Sequence, residues 1–67
     1  MISVCINGSA QTFEHPISIA DLVASLDLTG KRIAIECNSE IVPRSLFSQR
    51  LLADGDKIEV VVAVGGG

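Results

Sequence analysis

Apolar and polar residues alternate at the start of the chain, with Ile2, Val4 and Ile6 on one side of an extended segment and Ser3 and Cys5 on the other. A period of two predicts a half-buried strand over residues 2–6. Asn7-Gly8 follows, the pair best suited to the positive-φ positions of a tight hairpin turn. A second strand is predicted from about Ala10 to Glu14, ended by His15-Pro16 because Pro16 has no N–H for a ladder. The period then changes. Ile19, Leu22, Val23 and Leu26 fall at the i, i+3, i+4, i+7 spacing of one helical stripe. Ser18 is placed to cap this helix, Asp21 sits in its first turn, and Gly30 is the expected exit residue. At about three turns the helix needs a sheet to pack against.

Ile33, Ile35 and Cys37 share the inner face of a third strand. A turn at Asn38-Ser39 leads to a short strand over Glu40, Ile41 and Val42, broken by Pro43. Ser45 to Leu52 carries apolar residues without clean periodicity, and reads as one helical turn and a loop over the sheet's edge. Asp54-Gly55-Asp56 is a turn. The last strand is expected from Lys57 to Val64, with Ile58, Val60, Val62 and Val64 facing inward. This order predicts an α+β domain over residues 1–64, in which one main helix crosses one face of a mixed four- to five-stranded sheet. If the last strand pairs beside the first, residues 65–67 leave from the sheet's centre as a flexible tail.

That tail is Gly65, Gly66 and Gly67. Glycine loses more backbone freedom on ordering than any other residue, so three in a row do not serve stability. They supply a thin peptide without side chains, able to carry a terminal carboxylate ~10 Å into a slot too narrow for a β-carbon. A frayed end or an expression scar is the plainer reading. A scar usually breaks with the preceding pattern, whereas here the strand runs straight into the glycines.

Composition narrows the partners. A 67-residue chain buries only about 60% of its unfolded surface, so its core must be apolar-rich. The 48% hydrophobic content meets that demand with aliphatics, since aromatics make up 3%. A net charge of −3 argues against nucleic acid, which needs clustered Lys and Arg, and suggests a basic protein surface as partner. Glu40, Asp54, Asp56 and Glu59 read as a solvated acidic surface or as steering charges. No apolar stretch approaches the 18 residues of a membrane span and no signal-peptide pattern opens the chain, so a cytoplasmic protein is expected. Cys5 and Cys37 fall on opposite faces of the predicted sheet, which disfavours a disulfide. With His15 alone and no Cys-x-x-Cys pair, no metal site is expected. No nucleophile–base constellation marks an enzyme.

On the outer face the same alternation places Ala34, Val61 and Ala63, apolar where a solvated surface favours charge. With Arg44, held beside Pro43, they form a candidate docking patch. Single exposed apolar residues are also normal, and Arg44 equally suits a loop-capping role. Both readings stay open.

Five segments together resemble a known family: Asn7-Gly8, Ser18-Ile19-Ala20-Asp21-Leu22, Glu40-Ile41-Val42-Pro43-Arg44-Ser45, Asp54-Gly55-Asp56-Lys57-Ile58-Glu59, and Val64-Gly65-Gly66-Gly67. The chain is similar along essentially its whole length to the thiamin-biosynthesis sulfur carrier proteins, relatives of ubiquitin. The Ile41-Val42-Pro43-Arg44 stretch is the most specific piece. Similarity to the molybdopterin-synthase sulfur carrier subunit is weaker. The resemblance implies a ubiquitin-like β-grasp fold and a protein co-substrate rather than an enzyme. It implies that an E1-like adenylating enzyme uses ATP to activate the Gly67 carboxylate, with no cofactor bound by the chain itself. A cysteine desulfurase-derived donor then supplies sulfur, leaving a thiocarboxylate that feeds thiazole synthase. Gly65, Gly66 and Gly67 would enter the partners' active sites, and the free chain is expected to be monomeric. Relatives commonly end in two glycines and this chain in three, but the last carboxylate is the reactive group either way. The alternatives are a carrier for another sulfur-accepting pathway such as molybdopterin synthesis, a ubiquitin-like modifier, and a stand-alone binding module.

Overall fold

A computed structural model describes residues 1–63. Val64 of the expected inner face and the predicted tail Gly65, Gly66 and Gly67 lie outside the described residues. The elements are β1 (Ile2–Ile6), β2 (Ser9–Phe13), α1 (Ile19–Ser25), β3 (Ile33–Cys37), β4 (Glu40–Val42) and β5 (Lys57–Val62), with a 3-10 turn at Arg44–Leu46. They form one five-stranded sheet in the order β2-β1-β5-β3-β4. The central pair β1–β5 is parallel and the other pairings are antiparallel. The expected mixed sheet holds, and the condition on which the tail's central exit depended, the last strand beside the first, is met.

The β1–β2 hairpin turns where the sequence predicts. Asn7 at φ 48° and Gly8 at φ 85° occupy two left-handed positions, the conformation Asn-Gly tolerates best. Asn38 and Ser39, at φ 53° and 71°, do the same between β3 and β4.

Helix α1 has the predicted start. The Ser18 hydroxyl accepts from the Asp21 N–H at 3.0 Å, and the Ser18 N–H donates to the Asp21 carboxylate at 3.4 Å. This is a reciprocal capping box with Asp in place of the usual Glu. The next two amides are also satisfied, Ile19 N–H by the Arg50 carbonyl and Ala20 N–H by that of Phe47, both at 2.9 Å. The ambiguous 45–52 segment therefore does more than cover an edge: its carbonyls complete the helix N-terminus.

The helix is shorter than expected, seven residues, and Gly30 is not its exit. Asp27 takes the left-handed position at φ 59°. Leu28 N–H donates to the Val23 carbonyl and Asp27 N–H to that of Ala24, both at 3.0 Å, which is the Schellman pattern. Gly30, at φ 85°, belongs to the following turn, closed by Lys31 N–H to the Leu28 carbonyl.

The core lies between α1 and the inner sheet face. Ile19, Leu22, Ile35, Leu52, Ile58 and Cys37 are its fully buried side chains, joined by Val4, Ile6, Val23, Val42 and Phe47. Burying such aliphatics contributes about 1.5–3 kcal/mol each. Leu46 and Leu51 point outward, which explains the broken periodicity of that segment. Cys37 sits in the core while Cys5 is half-exposed on the opposite face, and both are free thiols.

Two of the acidic residues are more than solvated surface. Asp54 accepts from the Ser3 N–H at 2.7 Å. Asp56 accepts from the Ala53 N–H at 2.8 Å and from the Asn38 side-chain amide at 3.0 Å. Together they clamp the turn before β5 to β1 and to the β3–β4 hairpin.

Candidate functional site

The C-terminal end of β5 is the candidate site, because it is the base from which the chain's last residues depart. Its first half is held on both sides. Cys5 N–H donates to the Asp56 carbonyl and Asn7 N–H to the Ile58 carbonyl on the β1 side, and Asn38 N–H donates to the Lys57 carbonyl on the β3 side. Strand β1 then stops. The register ends at Ile6 opposite Ile58, and the Asn7 side chain takes over as a one-residue substitute strand. Its Oδ1 accepts from Val60 N–H at 2.7 Å and its Nδ2 donates to the Val60 carbonyl at 3.1 Å.

Past Val60, only β3 flanks the strand among the described residues. Pairing continues there from Ala34 opposite Val61 to Ile33 opposite Val62, and Ala63 N–H donates to the Arg32 carbonyl at 2.8 Å. The expected inner face fades along the same path. Ile58 is 1% exposed, Val60 half-buried and Val62 already 42% exposed. Alternation is kept, but the core has ended.

The four predicted docking residues come together. Ala34, Arg44, Val61 and Ala63 line one shallow depression with Arg32 and Ile33. Val61, the largest apolar group on it, is 60% exposed. Arg44 also has the loop-capping role, since its guanidinium donates to the Lys31 carbonyl at 2.9 Å. On its other flank Arg44 borders a small apolar pocket between α1 and β3, lined by Val23, Leu28, Ile33 and Phe47 among others.

Sequence reasoning missed the charge around this site. Lys31, Arg32 and Arg44, three of the five Lys and Arg residues, surround the exit of β5 and are exposed. Asp54 and Asp56 hold the turn before the strand's other end, and in mid-strand Glu59 lies directly opposite Glu36. Arg50 is turned toward the core, its guanidinium donating to the Cys37 sulfur at 3.4 Å. Burial, with the Asp56 carboxylate second, pushes the Cys37 thiol above its ordinary range, so it stays a protonated core residue. Among the described residues no group of His, Cys, Asp and Glu is arranged to hold a metal ion, and no helix is long and apolar enough to cross a membrane.

A parallel β1–β5 pair at the centre of the sheet, hairpins on either side and one helix across a single face define a ubiquitin-like β-grasp protein. The model of the ThiS family matches residues 4–67. The chain belongs to that family, the sulfur carriers of thiamin biosynthesis. It is 42% identical over 50 residues to the sulfur carrier protein ThiS of Bacillus subtilis, covering 75% of this chain and 76% of that one. It is 36% identical over 66 residues to a thiazole synthase of Paramagnetospirillum magneticum, a match that takes in 98% of this chain but 20% of the synthase. The crystal structure of the thiamine biosynthesis protein ThiS from Geobacter metallireducens superposes with a TM-score of 0.82 at 25% identity, covering 98% of this chain and all of that one.

Proposed function

We propose that this chain carries sulfur as a thiocarboxylate on Gly67 and delivers it to thiazole formation. A carboxylate is a poor electrophile; adenylation with ATP, performed by a separate activating enzyme, gives it AMP as leaving group. The terminal sulfur of a donor persulfide then displaces AMP. A partner thiol reduces the resulting acyl disulfide, releasing the thiocarboxylate and a disulfide. The chain contributes no catalytic group. Its part is to hold a side-chain-free peptide on a stiff body, so that Gly65, Gly66 and Gly67 reach into the partners' active sites. Use of cellular ATP and a reducing thiol suits the cytoplasm, with the free carrier a monomer.

The observation that carries this reading is the central, doubly paired β5, which ends at Val62 five residues before the terminal Gly67 carboxylate. Thiazole synthase as the recipient is supported by the synthase that contains a stretch similar to nearly all of this chain, since one polypeptide holding both would keep carrier and acceptor together.

Incubation with ATP, an activating enzyme and a sulfur source should add the mass of one oxygen-to-sulfur exchange, read by intact-protein mass spectrometry. Deleting Gly67, or adding a residue after it, should abolish the gain completely. A wild-type chain that gains no mass under conditions where a known carrier does would end this reading.

A further inference from the structure

The charge distribution along β5 names the chemistry of the surface this carrier docks on. Taken as a whole the chain is acidic, which by itself points to a basic partner. Around the exit of β5 the sign reverses. Lys31 and Arg32 sit on the turn entering β3, and Arg44 follows β4. Two hydrogen bonds tie this region together, the Arg44 guanidinium donating to the Lys31 carbonyl and the Ala63 N–H to the Arg32 carbonyl. Arg32 and Arg44 thus line the depression with the apolar Val61, Ala63 and Ala34, and Lys31 stands beside them, on the neighbouring pocket that Arg44 also borders. Two residues back along the same outer face Glu36 and Glu59 form a directly opposed pair, with Lys57 beyond Glu59, and such opposed like charges cost stability. The sign of the outer face therefore changes along β5, from the Glu36–Glu59 pair to Arg32 and Arg44 beside the strand's last described residues.

We propose that the positive rim formed by Lys31, Arg32 and Arg44 docks against a carboxylate-bearing surface of the activating enzyme, beside an apolar contact made by Val61 and Ala63. This rests on the sulfur-carrier reading and adds to it the sign of the contact. An acidic lip attracts the rim and repels the Glu36–Glu59 pair, so it selects the one orientation that points the tail inward. Oriented encounter of this kind acts mainly on the association rate and weakens as salt screens it.

The test uses the full-length chain and its activating enzyme, without ATP. Lys31→Glu with Arg32→Glu should slow association roughly tenfold at low salt, and the gap should narrow by ~0.15 M. Both side chains are exposed, and it is their backbone groups that bond within the fold. Glu36→Lys should slow nothing. Carbodiimide, which joins an amine to a carboxylate without a spacer, should cross-link Lys31 to a partner Asp or Glu, and should leave the chain's other lysine, Lys57, unlinked.

Unchanged association of the double variant, or cross-links through Lys57 instead, would overturn the proposal while the mass gain on Gly67 still upheld the carrier reading. A rate effect seen only with ATP present would also overturn it, assigning the rim to nucleotide phosphate. Loss of both the complex and the mass gain in the unaltered chain would remove the two together.

Discussion

The two halves of β5 lie in one strand and do opposite things. From Lys57 to Val60 the strand is gripped by β1, by the Asn7 side chain and by β3, with Ile58 sunk in the core. From Val61 to Ala63 it keeps β3 alone among the described residues, and both faces open to solvent. A carrier needs both. The gripped half fixes where the chain's end starts, and the open half leaves its surroundings free for another protein to cover. The transition takes two residues because β1 stops at Ile6 and the side chain of Asn7 extends its edge by one step.

The contrast is sharpest in a pair of alanine truncations. Ile58→Ala removes a side chain buried among Val4, Ile35 and Cys37 and should cost ~3–4 kcal/mol in urea unfolding. Val62→Ala, four residues on in the same strand and facing the same way, should cost less than about 1 kcal/mol. Equal losses would mean that Val62 is covered after all and that the strand has no open half.

Asn7 is the hinge of the comparison. Asn7→Gly keeps the left-handed turn, which glycine adopts freely, and removes both bonds to Val60. It should cost about 1–2 kcal/mol and speed amide exchange at Val60, while leaving Ile58 protected through its own pairing. Unchanged protection at Val60 would show that β3 alone holds the strand there.

Most of the gripped half was legible in the sequence, and less of the open half. Alternation in β1, Asn7-Gly8 and the Ser18–Asp21 spacing each encode their structure locally, so the hairpin and the cap follow from short stretches, whereas the pairing of β5 beside β1 entered only as a condition. The same alternation assigned Val62 to the interior. It reports which side a residue faces and not whether anything lies opposite, and that depends on β1 ending two residues into its neighbour's span. Gly30 drew the helix exit because glycine favours positive φ, yet Asp27 took the position. The bond from Leu28 N–H to Val23 and the packing of Leu28 against the core outweigh the modest strain of a left-handed Asp. The basic rim was least legible. Lys31 and Arg44 stand 13 residues apart in sequence, and only the β3–β4 hairpin returns one to the other. Net charge, summed over the chain, concealed a local sign opposite to its own. The apolar outer-face cluster, in contrast, needed only strand parity, and Ala34, Val61 and Ala63 do gather in one depression with Arg44.

The smallest expected effect on stability carries the most information about the open half. Val61 is 60% exposed and its outer-face neighbour across the pairing is only Ala34. Val61→Asp should therefore shift unfolding by no more than about 0.5 kcal/mol. If the patch is a docking surface, the same change should weaken the complex with the activating enzyme, through loss of apolar contact and through a new negative charge beside an acidic lip. Val61→Ser separates those causes, since it removes the apolar surface without adding charge. A larger loss for Asp than for Ser, shrinking as salt rises, would show that the two contributions meet at one residue. Unchanged binding for both would leave Val61 as one of the isolated exposed apolar groups that any protein surface carries, and the open half of β5 as a mere strand end.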